Sequence, residues 1–100
     1  MGTFTHVAVF TFKPGTTEAQ LEAARAALVE LPSLIPEIRG YRFGSDAGLV
    51  PGNDDFAVVA DFDDADGYRT YAVDPRHLDV IERLIRPITA SRHAAQFTSD

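Results

Sequence analysis

Two residues that could transfer protons flank a proline: Tyr71 and His77, six positions apart across Asp74-Pro75. In an unbroken helix this spacing would put them on nearly opposite faces, but the residue before a proline leaves the α region and the break re-aims the later segment. An imidazole with an ordinary pKa of about 6.5 exchanges protons at neutral pH, and a nearby phenol can orient a carbonyl. The pair therefore predicts acid–base chemistry. The alternative is that His77 only caps and packs the helix start, bonded to a backbone carbonyl or to Asp74.

A third candidate, His6, lies on the first predicted strand, which runs from Thr3 to Phe12 and alternates strictly between two faces. His6 shares its Phe-rich face with Phe10, and we assign this face to the side that the helices cover. We expect a small apolar or aromatic ligand to bind there, in contact with His6, Phe10 and Phe56. The competing interpretation is that His6 is a core histidine whose hydrogen bonds are satisfied.

Two helices must position these residues. Thr17 and Gln20 form a capping box for the first, which we expect to end at Pro32. The second is capped by Asp63 or Asp64 and interrupted at Asp74-Pro75. Each helix carries an apolar stripe at helical spacing: Leu21, Ala24, Leu28 and Leu31 on the first, and Leu78, Ile81, Ile85 and Ile88 after the break.

Three more strands are predicted, at Tyr41 to Ser45, Phe56 to Phe62 and Ala90 to Thr98. The order of elements is therefore βαββαβ. We expect one α+β domain over residues 1–100, a four-stranded antiparallel sheet with helices on one face.

Strands one and three are apolar on both faces. Val7, Val9, Ala57 and Val59 lie opposite the Phe-rich side, and a sheet face in contact with water should be polar. The two helices can cover only one face, so a second copy of the chain is the simplest cover for the other. The pattern predicts a homodimer.

The composition excludes several classes of protein. The net charge of −6 and the lack of a Lys/Arg run argue against nucleic acid and anionic membranes. The βαββαβ order is shared with RNA-recognition motifs, but Asp54, Val58 and Asp61 stand where those motifs carry a basic residue and stacking aromatics. No apolar run could span a bilayer, the first residues do not resemble a signal peptide, and there is no cysteine. We expect a cytoplasmic protein.

We expect no metal site. The acidic run Asp61 to Asp66 departs from calcium-loop spacing at Ala65, and helix capping explains it better. The three histidines have none of the spacings of zinc ligands.

Several segments resemble the stress-responsive A/B barrel (Dabb) family from about His6 to Phe97. Two of these segments are the opening His6-Val7-Ala8-Val9-Phe10 with Phe12-Lys13 and the strand Asp55 to Phe62. The most specific segment is Tyr71-Ala72-Val73-Asp74-Pro75-Arg76-His77, which matches the family's Tyr-x-x-x-Pro-x-His signature. The resemblance implies a ferredoxin-like protomer whose sheet packs against that of its partner in a dimeric α+β barrel.

The resemblance also implies that the function varies within the family. Some members are known only as stress-associated proteins, whereas a plant member, olivetolic acid cyclase, closes a polyketide ring without a cofactor. Residues of that cyclase matching Tyr71 and His77 serve catalysis, and the one matching His6 lines the same pocket. The resemblance thus implies a cofactor-free cyclase or isomerase. The alternative is a non-enzymatic stress-responsive dimer with structural histidines.

This chain departs from the cyclase at three places. Ala57 replaces a pocket histidine, the small-residue stretch Ala23 to Ala27 replaces a pocket tyrosine, and Gln96 stands where an aspartate supports the catalytic histidine. We expect Gln96 to contact the ligand site, where an amide can fix an imidazole tautomer but cannot stabilise an imidazolium by charge. A catalytic role predicts a cavity of several hundred cubic ångströms, on the order of a typical ligand pocket, beside His77. A structural role predicts a fully hydrogen-bonded His77 and no cavity.

Overall fold

Alternating apolar residues produce the two central strands, and helices follow each of them. The computed structural model describes residues 2–100. The elements are β1 (Thr3–Phe12), α1 (Glu18–Leu34), β2 (Gly40–Ser45), β3 (Phe56–Phe62), α2 (Ala65–Val73), α3 (Pro75–Val80) and β4 (Thr89–Ser99). Between α3 and β4 the chain forms a π-helical turn (Ile81–Ile85) and a short 3₁₀ turn (Arg86–Ile88).

The four strands form one antiparallel sheet in the order β2-β3-β1-β4. His6 pairs in register with Ala60 on β3 and with Gln96 on β4. The side chains of these paired residues point to the same face, which the helices cover. This is the βαββαβ ferredoxin-like fold that the sequence predicts.

Helix α1 starts as predicted and ends later than predicted. The Thr17 side chain accepts from the Gln20 N–H, and the Gln20 side chain accepts from the Thr17 N–H, which completes the capping box. The helix does not stop at Pro32 but continues to Leu34. Proline removes one N–H from the ladder, but the Ile35 N–H still donates to Leu31 O at 2.9 Å. Burial of both Leu31 and Ile35 holds this last turn in place.

Asp74 both ends α2 and begins α3. Its carboxylate accepts from the Arg76 N–H at 2.8 Å, and Pro75 occupies the first turn of α3, where a missing N–H has no consequence. The break is therefore a pair of helix ends that share one cap. At the start of α2, the cap is Asp64, whose side chain accepts from the Gly67 N–H at 2.9 Å.

The apolar stripe after the break differs from the prediction. Val80, Ile85 and Ile88 are buried, whereas Leu78 is 46% exposed. The π-helical turn contains one more residue than an α-helical turn and rotates the residues that follow it. A 3.6-residue period that starts at Leu78 therefore does not continue to Ile88.

The hydrophobic core lies between the helices and one face of the sheet. Phe62, Leu31 and Ile35 are its largest fully buried side chains. On the other face, Val7, Val9, Ala57 and Val59 are only partly buried, and Phe97, which is paired with Thr5, is 50% exposed. We call these five apolar residues the open face. Within residues 2–100 no helix covers it, as the two-faced strands predict.

Candidate active site

A cavity of about 180 Å³ lies between the sheet and the segment from α2 to the π-helical turn. Its apolar wall includes Ala8, Phe10, Leu28 and Ile81. Its polar wall is formed by His6, Tyr41, Tyr68, Tyr71, His77 and Arg92. The structure therefore brings Tyr71, His77 and His6 together around one space.

The cavity is smaller than the several hundred cubic ångströms expected. An engineered apolar cavity of about 150 Å³ binds benzene, so about 180 Å³ accommodates one six-membered ring. The reason is the aromatic content of the wall: the rings of Tyr68 and Tyr71 pack against Phe62 at centroid distances of 5.8 and 5.2 Å. These aromatic rings occupy part of the space between the sheet and the helices.

Tyr71 provides a protonated phenol. Its ring is buried on α2 and stacks on the His77 ring with centroids 4.0 Å apart and planes tilted by 31°. Its hydroxyl hydrogen-bonds that of Tyr41 at 3.0 Å. Burial raises the pKa of both phenols, so neither ionises at neutral pH. One of the two hydroxyl protons is used in the Tyr41–Tyr71 bond, so the other is free: with Tyr41 as the donor to Tyr71, the Tyr71 hydroxyl can donate to a ligand oxygen.

His77 presents an unprotonated ring nitrogen. Its Nδ1 lies 3.4 Å from the Ala72 carbonyl oxygen, which can only accept, so the ring proton sits on Nδ1. Within residues 2–100 this long contact is the one hydrogen bond of the ring. Burial lowers the pKa of His77, against a smaller upward effect of the Ala72 carbonyl and Asp74. The ring is therefore neutral at pH 7, with Nε2 as a base. The contact with a backbone carbonyl is the one that the structural alternative expects, but within residues 2–100 the ring has no bond to the Asp74 side chain and Nε2 has no partner.

His6 is held in the opposite tautomer. The Gln96 amide nitrogen lies 2.9 Å from His6 Nδ1 and 3.3 Å from the Tyr68 hydroxyl. An amide nitrogen only donates, so His6 Nδ1 accepts and Nε2 carries the proton. Gln96 thus fixes an imidazole tautomer, but the imidazole is that of His6, and Gln96, predicted to contact the ligand, does not itself line the cavity.

Phe56 lies apart from this group. Its ring packs against Phe12 and Phe43 at centroid distances of 5.8 and 6.2 Å, towards the other end of the sheet, and it does not line the cavity. Phe10 does line it. The Phe-rich face is longer than the cavity, so membership of that face alone does not place a residue in the site.

Sequence reasoning missed Arg92, Tyr41 and Tyr68 as cavity residues. Arg92 is four residues before Gln96 on β4, so the two side chains share a face of the strand. That spacing would have identified Arg92. The two tyrosines are visible only as aromatic residues on predicted elements.

Acidification should destabilise the fold through His6. Burial, followed by the positive charge of Arg92 and that of His77 once it is protonated, lowers its pKa from 6.5 to about 4. The unfolded chain therefore binds a proton that the folded chain does not, and stability is lost as the pH falls from 6.5 towards 4. The expected loss in free energy of unfolding is up to about 3 kcal/mol.

Denaturant unfolding at pH 7 and pH 4.5 measures this loss. His6→Gln should flatten the pH dependence, since glutamine does not titrate. Val29→Gln changes an exposed residue of α1 that does not line the cavity and should keep the wild-type slope. Equal slopes for His6→Gln and the wild type would contradict the assignment.

Two further observations concern residues 2–100. No three His, Asp or Glu side chains in this part of the chain are grouped closely enough to hold a metal ion. No helix among them has the length and apolar character needed to cross a membrane.

Comparisons with known proteins identify the family. Residues 4–99 match the family model described as Stress responsive A/B Barrel Domain (Dabb). A dimeric ferredoxin-like protein from Thermobifida fusca is 43% identical, with a TM-score of 0.90 over 98% of this chain and 92% of the other. None of the curated proteins compared with the chain matches it significantly.

Two more distant structures share the fold. A Dabb family protein from Mesorhizobium loti is 18% identical, with a TM-score of 0.82 over 100% of this chain and 99% of the other. The hydroxynitrile lyase of Passiflora edulis is 15% identical, with a TM-score of 0.85 over 98% and 94%. With the family model matched from residue 4 to residue 99, the chain belongs to the stress-responsive A/B barrel (Dabb) family.

Proposed function

We propose that the chain is a homodimeric, cofactor-independent acid–base enzyme that enolises, isomerises or cyclises a small carbonyl compound with an apolar or aromatic body. The observation that carries this proposal is the convergence of His77, Tyr71 and His6 on one cavity. All three side chains are neutral, and each offers a different group for proton transfer or hydrogen bonding. His77 is a neutral base, Tyr71 a neutral phenol, and His6 a neutral imidazole with its proton on Nε2.

The proposed reaction begins with a proton next to a carbonyl. His77 Nε2 takes that proton from carbon while negative charge develops on the carbonyl oxygen. Tyr71 and His6 donate hydrogen bonds to this oxygen. A wall of mostly apolar side chains strengthens these bonds, because charge interacts more strongly in a medium of low dielectric constant. His77 then delivers the proton to another atom of the product.

The proposed assembly is a dimer built through the open face. Covering Val7, Val9, Val59 and Phe97 removes apolar surface from water, at a gain of roughly 25 cal/mol per Å². The Thermobifida fusca relative, 43% identical, is described as dimeric. We further propose that residues 1–100 are one domain. We also propose that the protein is cytoplasmic, because a chain without cysteine forms no disulfide and so does not need an oxidising compartment.

The competing function is that of a non-enzymatic stress-associated dimer. Its support is that His6 is bonded to Gln96 and that His77 contacts the Ala72 carbonyl, as structural histidines do. Two features favour the enzyme. His77 Nε2 has no hydrogen-bond partner within residues 2–100, and a core packed for stability alone would not keep a cavity beside this residue.

Proton exchange at carbon tests the proposal. The probes are 1-phenylpropan-2-one and phenylpyruvate, two one-ring carbonyl compounds, and ¹H NMR in D₂O follows the loss of their benzylic protons. We expect the protein to accelerate exchange of at least one probe. Leu78→Trp should abolish the acceleration, because Leu78 lines the cavity and a larger ring there occupies it.

Leu34→Trp is the matched control. Leu34 and Leu78 are similarly exposed, at 42% and 46%, but Leu34 lies outside the cavity. This variant should keep the wild-type rate. Exchange no faster than in buffer for both probes, or equal rates in the two tryptophan variants, would refute the proposed function.

A further inference from the structure

We propose that Arg92 makes the cavity a site for an anion, namely the carboxylate of a small aromatic or apolar acid. The inference deepens the proposed function and rests on it in one respect, that the cavity binds a ligand. It adds the class of compound: an acid with one ring, its ring in the apolar wall and its carboxylate against the guanidinium.

Arg92 is unlike most arginines of this chain. Six of the eight arginines form ion pairs with aspartate or glutamate: Arg25, Arg39, Arg69, Arg76, Arg83 and Arg86. Within residues 2–100, Arg92 and Arg42 have no such partner. Arg42 pairs in register with Val59 and so lies on the side of the open face. Arg92 alone directs an unpaired guanidinium to the cavity.

The cavity wall holds no negative charge to balance Arg92. None of its lining residues is an aspartate or glutamate, although the chain as a whole carries a net charge of −6. Four other titratable side chains of the wall are neutral at pH 7, since burial lowers the pKa of His6 and His77 and raises that of Tyr41 and Tyr71. A bound anion would therefore meet one positive charge and no repulsion.

The position of Arg92 fixes the orientation of the ligand. Arg92 pairs with Phe10 in the sheet, and its side chain is exposed while still lining the cavity, so the guanidinium sits where the cavity opens to solvent. Ala8, Leu28 and Ile85 line the inner part. A ring fits this inner part and its carboxylate stays at the opening, where a planar guanidinium can bind it through two hydrogen bonds.

Binding of two matched probes tests this inference without any turnover. Phenylacetate and phenylacetamide have nearly the same shape, and only the first is charged. In ¹⁵N NMR titrations we expect phenylacetate to bind about tenfold more tightly, because a hydrogen bond to a charged group at a partly exposed site is worth about that factor. Both probes should shift the amide signals of β1 and α2 next to the cavity.

Arg92→Gln should weaken the binding of phenylacetate about tenfold and leave the binding of phenylacetamide unchanged. Arg92→Lys should restore part of the preference for phenylacetate. Arg69→Gln removes the same charge from an exposed ion pair with Asp66 and should have no effect. Sedimentation of each variant reports whether Arg92 instead pairs with a carboxylate of the partner subunit.

Three results would overturn the inference. Equal affinity of the wild type for the two probes, or an Arg92→Gln variant that keeps the preference, would show that Arg92 does not select anions, while the proposed function stands. Dissociation of the Arg92→Gln dimer with phenylacetate affinity unchanged would make Arg92 an interface residue. Binding of neither probe would remove the ligand site, and the proposed function with it.

Discussion

Replacement of His77 by asparagine should slow benzylic proton exchange by a factor of roughly 10² to 10⁴, the usual contribution of a general base. The asparagine amide can still donate to the Ala72 carbonyl in place of Nδ1, so the local hydrogen bond survives. What is lost is the unprotonated ring nitrogen of a residue that lines the cavity. The exchange rate by NMR and the melting temperature are measured on the same sample.

Comparison with His77→Ala separates catalysis from structure. Alanine removes the base, the hydrogen bond and the ring that stacks on Tyr71, so this variant should lose both exchange and stability. If His77 has only a structural role, the asparagine variant would regain both the stability and the exchange rate that the alanine variant loses. A His77→Asn protein with wild-type exchange would end the assignment of His77 as the base.

Replacement of Val59 by aspartate should convert the protein from a dimer to a monomer at micromolar concentration. Val59 lies on β3, one of the two central strands, directly opposite Val7 on β1, so its carboxylate would sit in the middle of the proposed interface. Burying a carboxylate in the interface costs several kcal/mol of desolvation, which an ion pair with Arg42 on β2 offsets only in part, and this is enough to separate two subunits. Analytical ultracentrifugation measures the mass, and circular dichroism the fold.

Val29→Asp is the matched control for this experiment. Val29 is 63% exposed on α1, on the helical side of the protomer, so the same change should leave the dimer intact. A wild-type protein that sediments as a folded monomer at micromolar concentration would refute the dimer outright. A dimeric Val59→Asp protein would move the interface away from the open face.

Much of the fold follows from short patterns in the sequence. Strict alternation places β1 and β3 at their observed residues, because each strand contacts the helices on one face only and its pattern has no competing period. Thr17 with Gln20, and Asp74 with Pro75, mark helix ends because caps are local interactions. The family signature, from Tyr71 to His77, spans the helix end at Asp74 and Pro75.

What the sequence does not show depends on tertiary contacts. Pro32 lies inside α1 because Leu31 and Ile35 are buried by elements distant in sequence. The π-helical turn, which ends the 3.6-residue period after α3, has no local signal that propensity or spacing reveals. The candidate site divides in the same way. His6, Tyr71 and His77 can be predicted from the sequence, but the partner of Gln96 depends on the pairing of β1 with β4.

Strand β4 makes the site and the subunit contact inseparable. Its residues alternate, so Arg92 lines the cavity and Gln96 holds His6 beside it, while Phe97 points to the opposite side, where the second copy is proposed to bind. In a lone protomer every residue of this strand after Thr89 is exposed, and its backbone is held along one edge only, by β1. Dilution to single protomers would therefore loosen the strand that fixes the His6 tautomer. Catalytic competence would be a property of the assembled pair and would vary with protein concentration.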